Sequence, residues 1–189
     1  MRVIAGTAGG RRLKELEGMD TRPTTDKVKE SMFNVLQFEL EGRRVLDLFA
    51  GTGQLGIESL SRGAAHAVFV ERRPDAVRLI RDNLKTTDFT DRARVVQGDA
   101  LEFLAGMRER FDIILLDPPY EAGLLEPVLE RIVGFDILSP HGIIVAEHSQ
   151  DRRMPELPAP YVLHKTYRYG RIALTVWRRT GDEREEENA

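Results

Sequence analysis

Residues 45–56 read VLDLFAGTGQLG. An apolar run from Val45 to Leu48, broken only by Asp47, passes through Phe49 and Ala50 into a turn carrying Gly51, Thr52 and Gly53. Apolar residues then return around Gly56 at helical spacing. The three glycines match G-x-G-x-x-G, a pattern that by itself describes only a tight turn and a close helix–strand contact. The context makes it more telling. A strand precedes it, a helix follows, and Glu71 stands at the end of the next apolar run. That is the placement, about 20 residues on, from which an acid can accept hydrogen bonds from a ribose diol.

Outward from this turn, strand and helix alternate. Strands are expected near 44–49, 66–71, 93–97, 112–117 and 142–147. Helices are expected near 54–62, 74–87, 99–108 and 122–133. Pro74 suits the first turn of its helix, and Val77, Ile80 and Leu84 form an apolar stripe. Upstream, residues 2–5 and 11–16 read as a β-hairpin turned by Gly6, Gly9 and Gly10. RPTTDKVKESMFNVLQFEL then reads as a helix with Thr24, Thr25 and Asp26 as N-cap candidates and Val28, Met32, Val35 and Leu36 on one face. Segments 160–167 and 171–178 read as a closing hairpin turned by Tyr169 and Gly170. The expected fold class is α/β: a mostly parallel, seven-stranded sheet flanked by helices, with a small N-terminal β-hairpin.

Ligands of such sheets bind beyond the carboxyl ends of the strands. There the first four strands of the alternation present Asp47, Glu71, Asp99 and Asp117. One acid at a strand end is an ordinary turn former or helix cap. Four on one rim repel one another, a cost that a bound ligand would explain. NAD and S-adenosylmethionine both fit the geometry. A pyrophosphate on the helix N-terminus would be disfavoured by Asp47. A sulfonium and an ammonium would be welcomed by the acids, and Asp99 could reach the adenine amine. Charge therefore favours S-adenosylmethionine.

The fourth strand ends as DIILLDPPY, residues 112–120. Proline lacks an N–H and forces the preceding residue into an extended conformation. Asp117, Pro118 and Pro119 thus make a stiff turn rich in acceptors and poor in donors. Its natural guest is an –NH₂ group, and Tyr120 offers a flat face on which an aromatic ring bearing that amine can stack. Acceptors that grip the amine make its nitrogen more electron-rich and orient it for methyl transfer.

The chain has 189 residues, no cysteine and a net charge of −3. These values indicate one globular domain without disulfides or thiolate metal sites. No apolar stretch approaches the roughly 20 residues of a membrane span, and MRVIAGTAGG does not read as a signal peptide, so the cytoplasm is the expected compartment. His66, His141, His148 and His164 show no ligand spacing, and no metal is expected. The net charge conceals asymmetry. Arg2, Arg11, Arg12 and Lys14 stand among no acids, as do Lys165, Arg168, Arg171, Arg178 and Arg179, which is the electrostatic pattern of phosphate recognition. The closing GDEREEENA reads as a solvated, disordered acidic tail.

VLDLFAGTGQLGIESLSRGA together with DPPY resembles the class I S-adenosylmethionine-dependent methyltransferases that modify exocyclic amines. MRVIAGTAGGRRL followed by RPTTDKVKESMFN narrows the resemblance to the bacterial 16S rRNA guanine-N2-methyltransferase family, RsmD, from Met1 to about Arg179. The resemblance implies a Rossmann-like domain at 21–180, an RNA-contacting hairpin extension at 1–20 and a tail at 181–189. It implies methylation of one guanine N2 in 16S rRNA of the assembled or assembling small subunit, by a monomer, with S-adenosyl-L-homocysteine as product. The cofactor would meet Asp47, Phe49, Ala50, Gly51, Thr52, Gly53, Glu71, Asp99 and Ala100. Asp117, Pro118, Pro119 and Tyr120 would form the catalytic strip. Arg2, Arg11, Arg12, Lys14, Arg22, Thr24, Thr25 and Lys29 are the candidates for RNA contact.

DPPY is shared with adenine-N6 DNA methyltransferases, which is the leading alternative, although 189 residues leave no room for a large target-recognition domain. A non-enzymatic RNA-binding protein and an NAD enzyme are opposed by the intact strip and by Asp47 respectively.

Since stacking acts on the base, Tyr120→Ala should reduce labelled methyl transfer far more than cofactor affinity measured by calorimetry. Equal losses in both would refute that division of labour.

Overall fold

The computed structural model describes residues 1–16, 23–119 and 123–181, with only the backbone given for 23–26. Arg22 and Tyr120 therefore lie outside the described residues, as do the side chain of Thr24 and the acidic tail from residue 182.

Seven strands form one sheet: β1 (Arg44–Asp47), β2 (His66–Glu71), β3 (Ala93–Gln97), β4 (Phe111–Leu116), β5 (Leu138–Ser149), β6 (Tyr161–Tyr169) and β7 (Ile172–Arg179). Their order is β3-β2-β1-β4-β5-β7-β6. The first five run parallel, and β7 pairs antiparallel with both β5 and β6. The parallel strands carry near-continuous apolar runs because helices cover both faces. Val45, Phe69, Ile113, Leu115, Val145 and Leu174 face one core cluster. Leu46, Val68, Ile114, Leu116, Ile144 and Trp177 face the other. Helices α1 (Pro23–Val35), α2 (Gln54–Ser61) and α3 (Pro74–Thr87) pack into the first. Helices α4 (Ala100–Gly106) and α5 (Leu125–Gly134) pack into the second. Period-two alternation thus gives Asp47, Asp117 and Glu147 the same face as Leu115 and Val145.

Two local expectations are corrected, both on α1. First, α1 begins at Pro23, so Thr24, Thr25 and Asp26 lie within the helix and not at its cap. Proline suits that first position because its missing N–H would be unpaired there in any case. Second, α1 stops at Val35 instead of continuing to Leu40. Residues 36–39 tighten into a turn, in which Glu39 N–H donates to the Leu36 carbonyl at 2.9 Å, and this swings Leu40 back into the core.

The N-terminal hairpin is present and short: Arg2 bridges Arg12 antiparallel, Val3 N–H donates to the Arg11 carbonyl at 2.9 Å, and Leu13 N–H donates to the Met1 carbonyl at 3.0 Å. Its arms are also tied to the helices. The N–H groups of Ile4 and Ala5 donate to the buried Glu58 carboxylate at 2.7 and 3.0 Å. Ala8 N–H donates to Ser61 Oγ, and Lys14 N–H to Asn83 Oδ1. Gly6, at φ 81°, sits so close to α2 that a Cβ would come within 1.9 Å of the Ser61 carbonyl oxygen. Val3, Ala8 and Leu13 are buried in the first core cluster, so this extension is part of the domain's packing.

Glu58 also holds Arg62 Nε at 2.7 Å. Glu58→Ala would leave two backbone donors without their acceptor, and unfolding should become easier by about 2–4 kcal/mol. Denaturant melts measure the loss. Limited proteolysis should then cut first within residues 1–16.

Candidate active site

The crevice opens where strand order reverses, between β1 and β4. Asp47 ends β1, and Asp117 follows directly on β4. Register pairs Asp47 with Leu115 across this switch point.

Asp47 is fully buried. Its Oδ2 accepts the Gly56 N–H at 3.0 Å, so it caps the start of α2 from the preceding strand. Its Oδ1 has no hydrogen-bond partner among the described residues. Between strand and helix, Phe49 and Ala50 lead into the turn. Gly51 and Gly53 adopt left-handed backbone conformations, at φ 53° and 81°, which glycine enters without steric cost. A Cβ on Gly51 would meet open space, so its role is conformational. Gly56 is different: a Cβ there would lie 2.2 Å from the Phe69 ring, so glycine lets α2 lie close on β2. The Thr52 carbonyl accepts from Asn83 Nδ2 at 3.0 Å, which links this loop to α3 and, through the same amide group, to Lys14.

Glu71 grips the loop from β2. Its two oxygens accept the N–H groups of Gly51 and Arg73, each at 2.8 Å. Each oxygen retains a second lone pair for a ligand. Asp99 takes the ordinary role of a helix cap: its Oδ1 accepts from Leu101 N–H at 2.8 Å and Glu102 N–H at 3.2 Å, and Ala100 begins α4 behind it. Beyond Asp117, Pro118 is buried and Pro119 exposed.

Two residues change the expected picture. Glu147, buried near the end of β5, joins the rim one strand beyond Asp117. It had the same signature as the other acids, an apolar run closing on a carboxylate in GIIVAE, and could have been found that way. Lys29, expected at the RNA, reaches from α1 to the Gln54 side chain at the start of α2. There its charge acts on both Asp47 and Asp117.

The exposed N-terminal cations are spread differently from a single patch. Arg11 donates to the Thr86 carbonyl at 2.8 Å, and Lys14 pairs with Asp82 at 2.8 Å, both on α3. Arg2 and Arg12 face each other across the bridge.

The sequence matches, over residues 1–178, the family described as Conserved hypothetical protein 95. The chain belongs to this family. It is 43% identical over 184 residues to "Putative rRNA methyltransferase YlbH" of Bacillus subtilis, covering 96% of this chain and 100% of that protein. It is 35% identical over 179 residues to "Ribosomal RNA small subunit methyltransferase D" of Escherichia coli K12, covering 95% and 90%. The solved structure "Putative methyltransferase yhhF from Escherichia coli" superposes with a TM-score of 0.87 at 35% identity, covering 96% of this chain and 99% of that one. The fold of this Conserved hypothetical protein 95 family member is that of the S-adenosylmethionine-dependent methyltransferases.

The residues present suit that cofactor. The buried Oδ1 of Asp47 lacks a donor that an ammonium could supply, and the carboxylates around it favour a cation. Burial pushes the Asp47 carboxyl up to about 7; Gly56 N–H and Lys29 oppose the rise, and Glu71 adds to it. Asp117 is pushed up to about 8, first by desolvation and then by the adjacent Glu147 charge, with Lys29 opposing.

Both shifts have the same consequence for folding. The folded state holds protons on these acids at pH values where the unfolded chain, with carboxyl groups near 3.8, has released them. Stability therefore falls as pH rises from about 4 towards 8. The melting temperature of the ligand-free protein should drop between pH 5 and pH 8. Asp47→Asn should flatten that dependence, and an unchanged slope in this variant would show that Asp47 titrates normally.

Proposed function

We propose that this chain transfers a methyl group from S-adenosylmethionine to the exocyclic N2 amine of a guanine in 16S rRNA of the small ribosomal subunit. The observation that carries the reading is the position of Asp117 and its proline turn beside Asp47 at the β1–β4 switch point. The family relationship supports rRNA as the substrate class.

When bound, the cofactor supplies an electrophilic methyl group on a positively charged sulfur that leaves as a neutral thioether. The chain's own residues do the rest. Asp47, with its free buried oxygen, and the loop Phe49–Gly53 hold the cofactor's charged end. Glu71 receives the ribose through its remaining lone pairs, and Asp99–Ala100 border the adenine. With a cationic cofactor bound, which favours the ionised form, the Asp117 carboxylate and the Pro118 carbonyl would accept the two hydrogens of the guanine amine and fix its lone pair in line with the methyl group. They stabilise the positive charge that develops on nitrogen as the N–C bond forms. Asp117, with its affinity for protons raised, can take the one that the methylated nitrogen sheds. Tyr120 completes the strip as a stacking surface. Residues 1–20, with Arg2, Arg11, Arg12 and Lys14 exposed, and the segment of Arg22, Thr24 and Thr25 serve as RNA-facing extensions of the domain at 21–180. The chain acts as a monomer in the cytoplasm.

Cation binding favours the ionised form of Asp47, so cofactor affinity should weaken as pH falls below 7, with protons released on binding. Calorimetry at pH 6.5 in buffers of different ionisation enthalpy reads that release. The deciding experiment is transfer of a labelled methyl group to small subunits lacking the modification, with naked 16S rRNA and duplex DNA alongside. Label in N2-methylguanosine, reduced at least 100-fold by Asp117→Ala while cofactor binding persists, is the expected result. Label in N6-methyladenine would overturn the reading and favour a DNA enzyme.

A further inference from the structure

On the sheet face opposite Asp117, a cleft of about 470 Å³ opens beside the C-terminal end of β5. It lies between the start of α5, residues 150–156, and the β6–β7 hairpin. Its floor is polar, whereas Leu46, Ile114, Ile144 and Trp177 on the same face of the sheet are apolar. His148 Nε2 bonds Thr175 Oγ1 at 2.8 Å, and Thr175 Oγ1 bonds Thr166 Oγ1 at 2.9 Å. Burial holds the His148 ring below its ordinary pKa, so it contributes no positive charge to the floor at neutral pH.

The walls carry the charge. Arg152 is held by a two-pronged contact with Glu126 at the first turn of α5. Arg153, Arg168 and the single further acid Glu156 also line the cleft, and neither arginine is in an ion pair among the described residues, so the cations outnumber the acids there. Arg168 is set at the catalytic rim by register: it pairs with Ala173, which pairs with His148, the residue after Glu147. The Arg171 carbonyl, at the hairpin tip, accepts from Gln150 N–H at 2.9 Å and holds the tip against the rim. Free guanidinium groups around a roomy polar hollow suit a phosphate with a sugar and base behind it. The volume is within the range of pockets that hold molecules of nucleotide size.

We propose that this cleft binds the nucleotide adjoining the target guanosine, with Arg153 and Arg168 on its phosphate and the Thr166–Thr175–His148 floor beneath its sugar or base. This rests on the reading of the chain as an RNA methyltransferase and adds a second point of RNA contact to it. A base delivered to Asp117 must leave its neighbours, and clamping the adjoining nucleotide across the sheet edge holds the strand open. The phosphate contact carries no sequence information; it sets register.

The test compares the wild type with Arg153→Gln/Arg168→Gln, and with Arg94→Gln/Arg108→Gln as a charge-matched control at the other end of the sheet. Affinity for a single-stranded 16S rRNA fragment is measured across a salt series, together with methyl-transfer kinetics on small subunits. The cleft variant should bind RNA roughly tenfold more weakly at about 0.1 M salt, and its salt slope should flatten by about 0.7, the value for one lost single-strand phosphate contact. KM for the subunit should rise while kcat and cofactor affinity hold. The control should behave as the wild type. A cleft variant with wild-type salt slope and KM, or a control that loses as much, would overturn the proposal. The salt series reads the cleft even if no label reaches rRNA, so failure of the enzymatic reading and failure of the cleft remain distinguishable.

Discussion

Parallel strands must be joined by right-handed crossovers, and reversing the strand order sends successive helices to opposite faces. That constraint creates the crevice at the β1–β4 boundary and decides what lines it. Helices α2 and α3 leave on one face and α4 and α5 on the other. Every parallel strand ends at the same rim, so any acid closing an apolar run is delivered to one place. The rim then gathers buried Asp47 and Glu147 and half-buried Asp117 on a shared face, and the Lys29 charge acts on Asp47 and Asp117. Such a set is unfavourable on its own and is relieved by a cationic ligand. Stability lost in the free protein reappears as affinity in the loaded one.

The glycine loop is held by the carboxylates that surround it. Asp47 fastens it to α2, Glu71 to β2, and Asn83 joins it to the N-terminal segment. Two of these groups are proposed to meet the cofactor. The hydrogen bonds that shape the empty loop therefore also orient the groups that would receive a ligand, which lowers the reorganisation needed on binding.

Much of this was legible from the chain. Strand ends could be read because a buried strand is an uninterrupted apolar run, and an acid terminating it stands out; Asp47, Glu71 and Asp117 were found this way, and Glu147 carried the same mark. Asp99 illustrates the limit of that signal, since a helix cap and a ligand-binding acid look alike in sequence. Glu58, Ser61 and Asn83 were not legible. Their partners in the N-terminal segment are backbone N–H groups more than 50 residues away, and no local spacing encodes such pairings. The contact of Lys29 with Gln54 was not legible for a related reason: a lysine on a helix faces solvent or a carboxylate rim depending on how the helix docks. The hairpin was legible from alternation around glycines, but not the further hydrogen bonds that its arms make to α2 and α3.

The docking of the first sixteen residues also bears on the order in which the molecule assembles. Glu58, Ser61 and Asn83, which hold that segment, are made after it. At translation speeds of about 5–20 residues per second, the N-terminal segment waits several seconds before its last anchor, on α3, leaves the ribosome. Until then Val3, Ala8 and Leu13 have no core to enter. The emerging chain thus carries a short apolar segment that cannot settle until the first half of the sheet exists, and its closure over α2 and α3 accompanies the fastening of the glycine loop by Asn83.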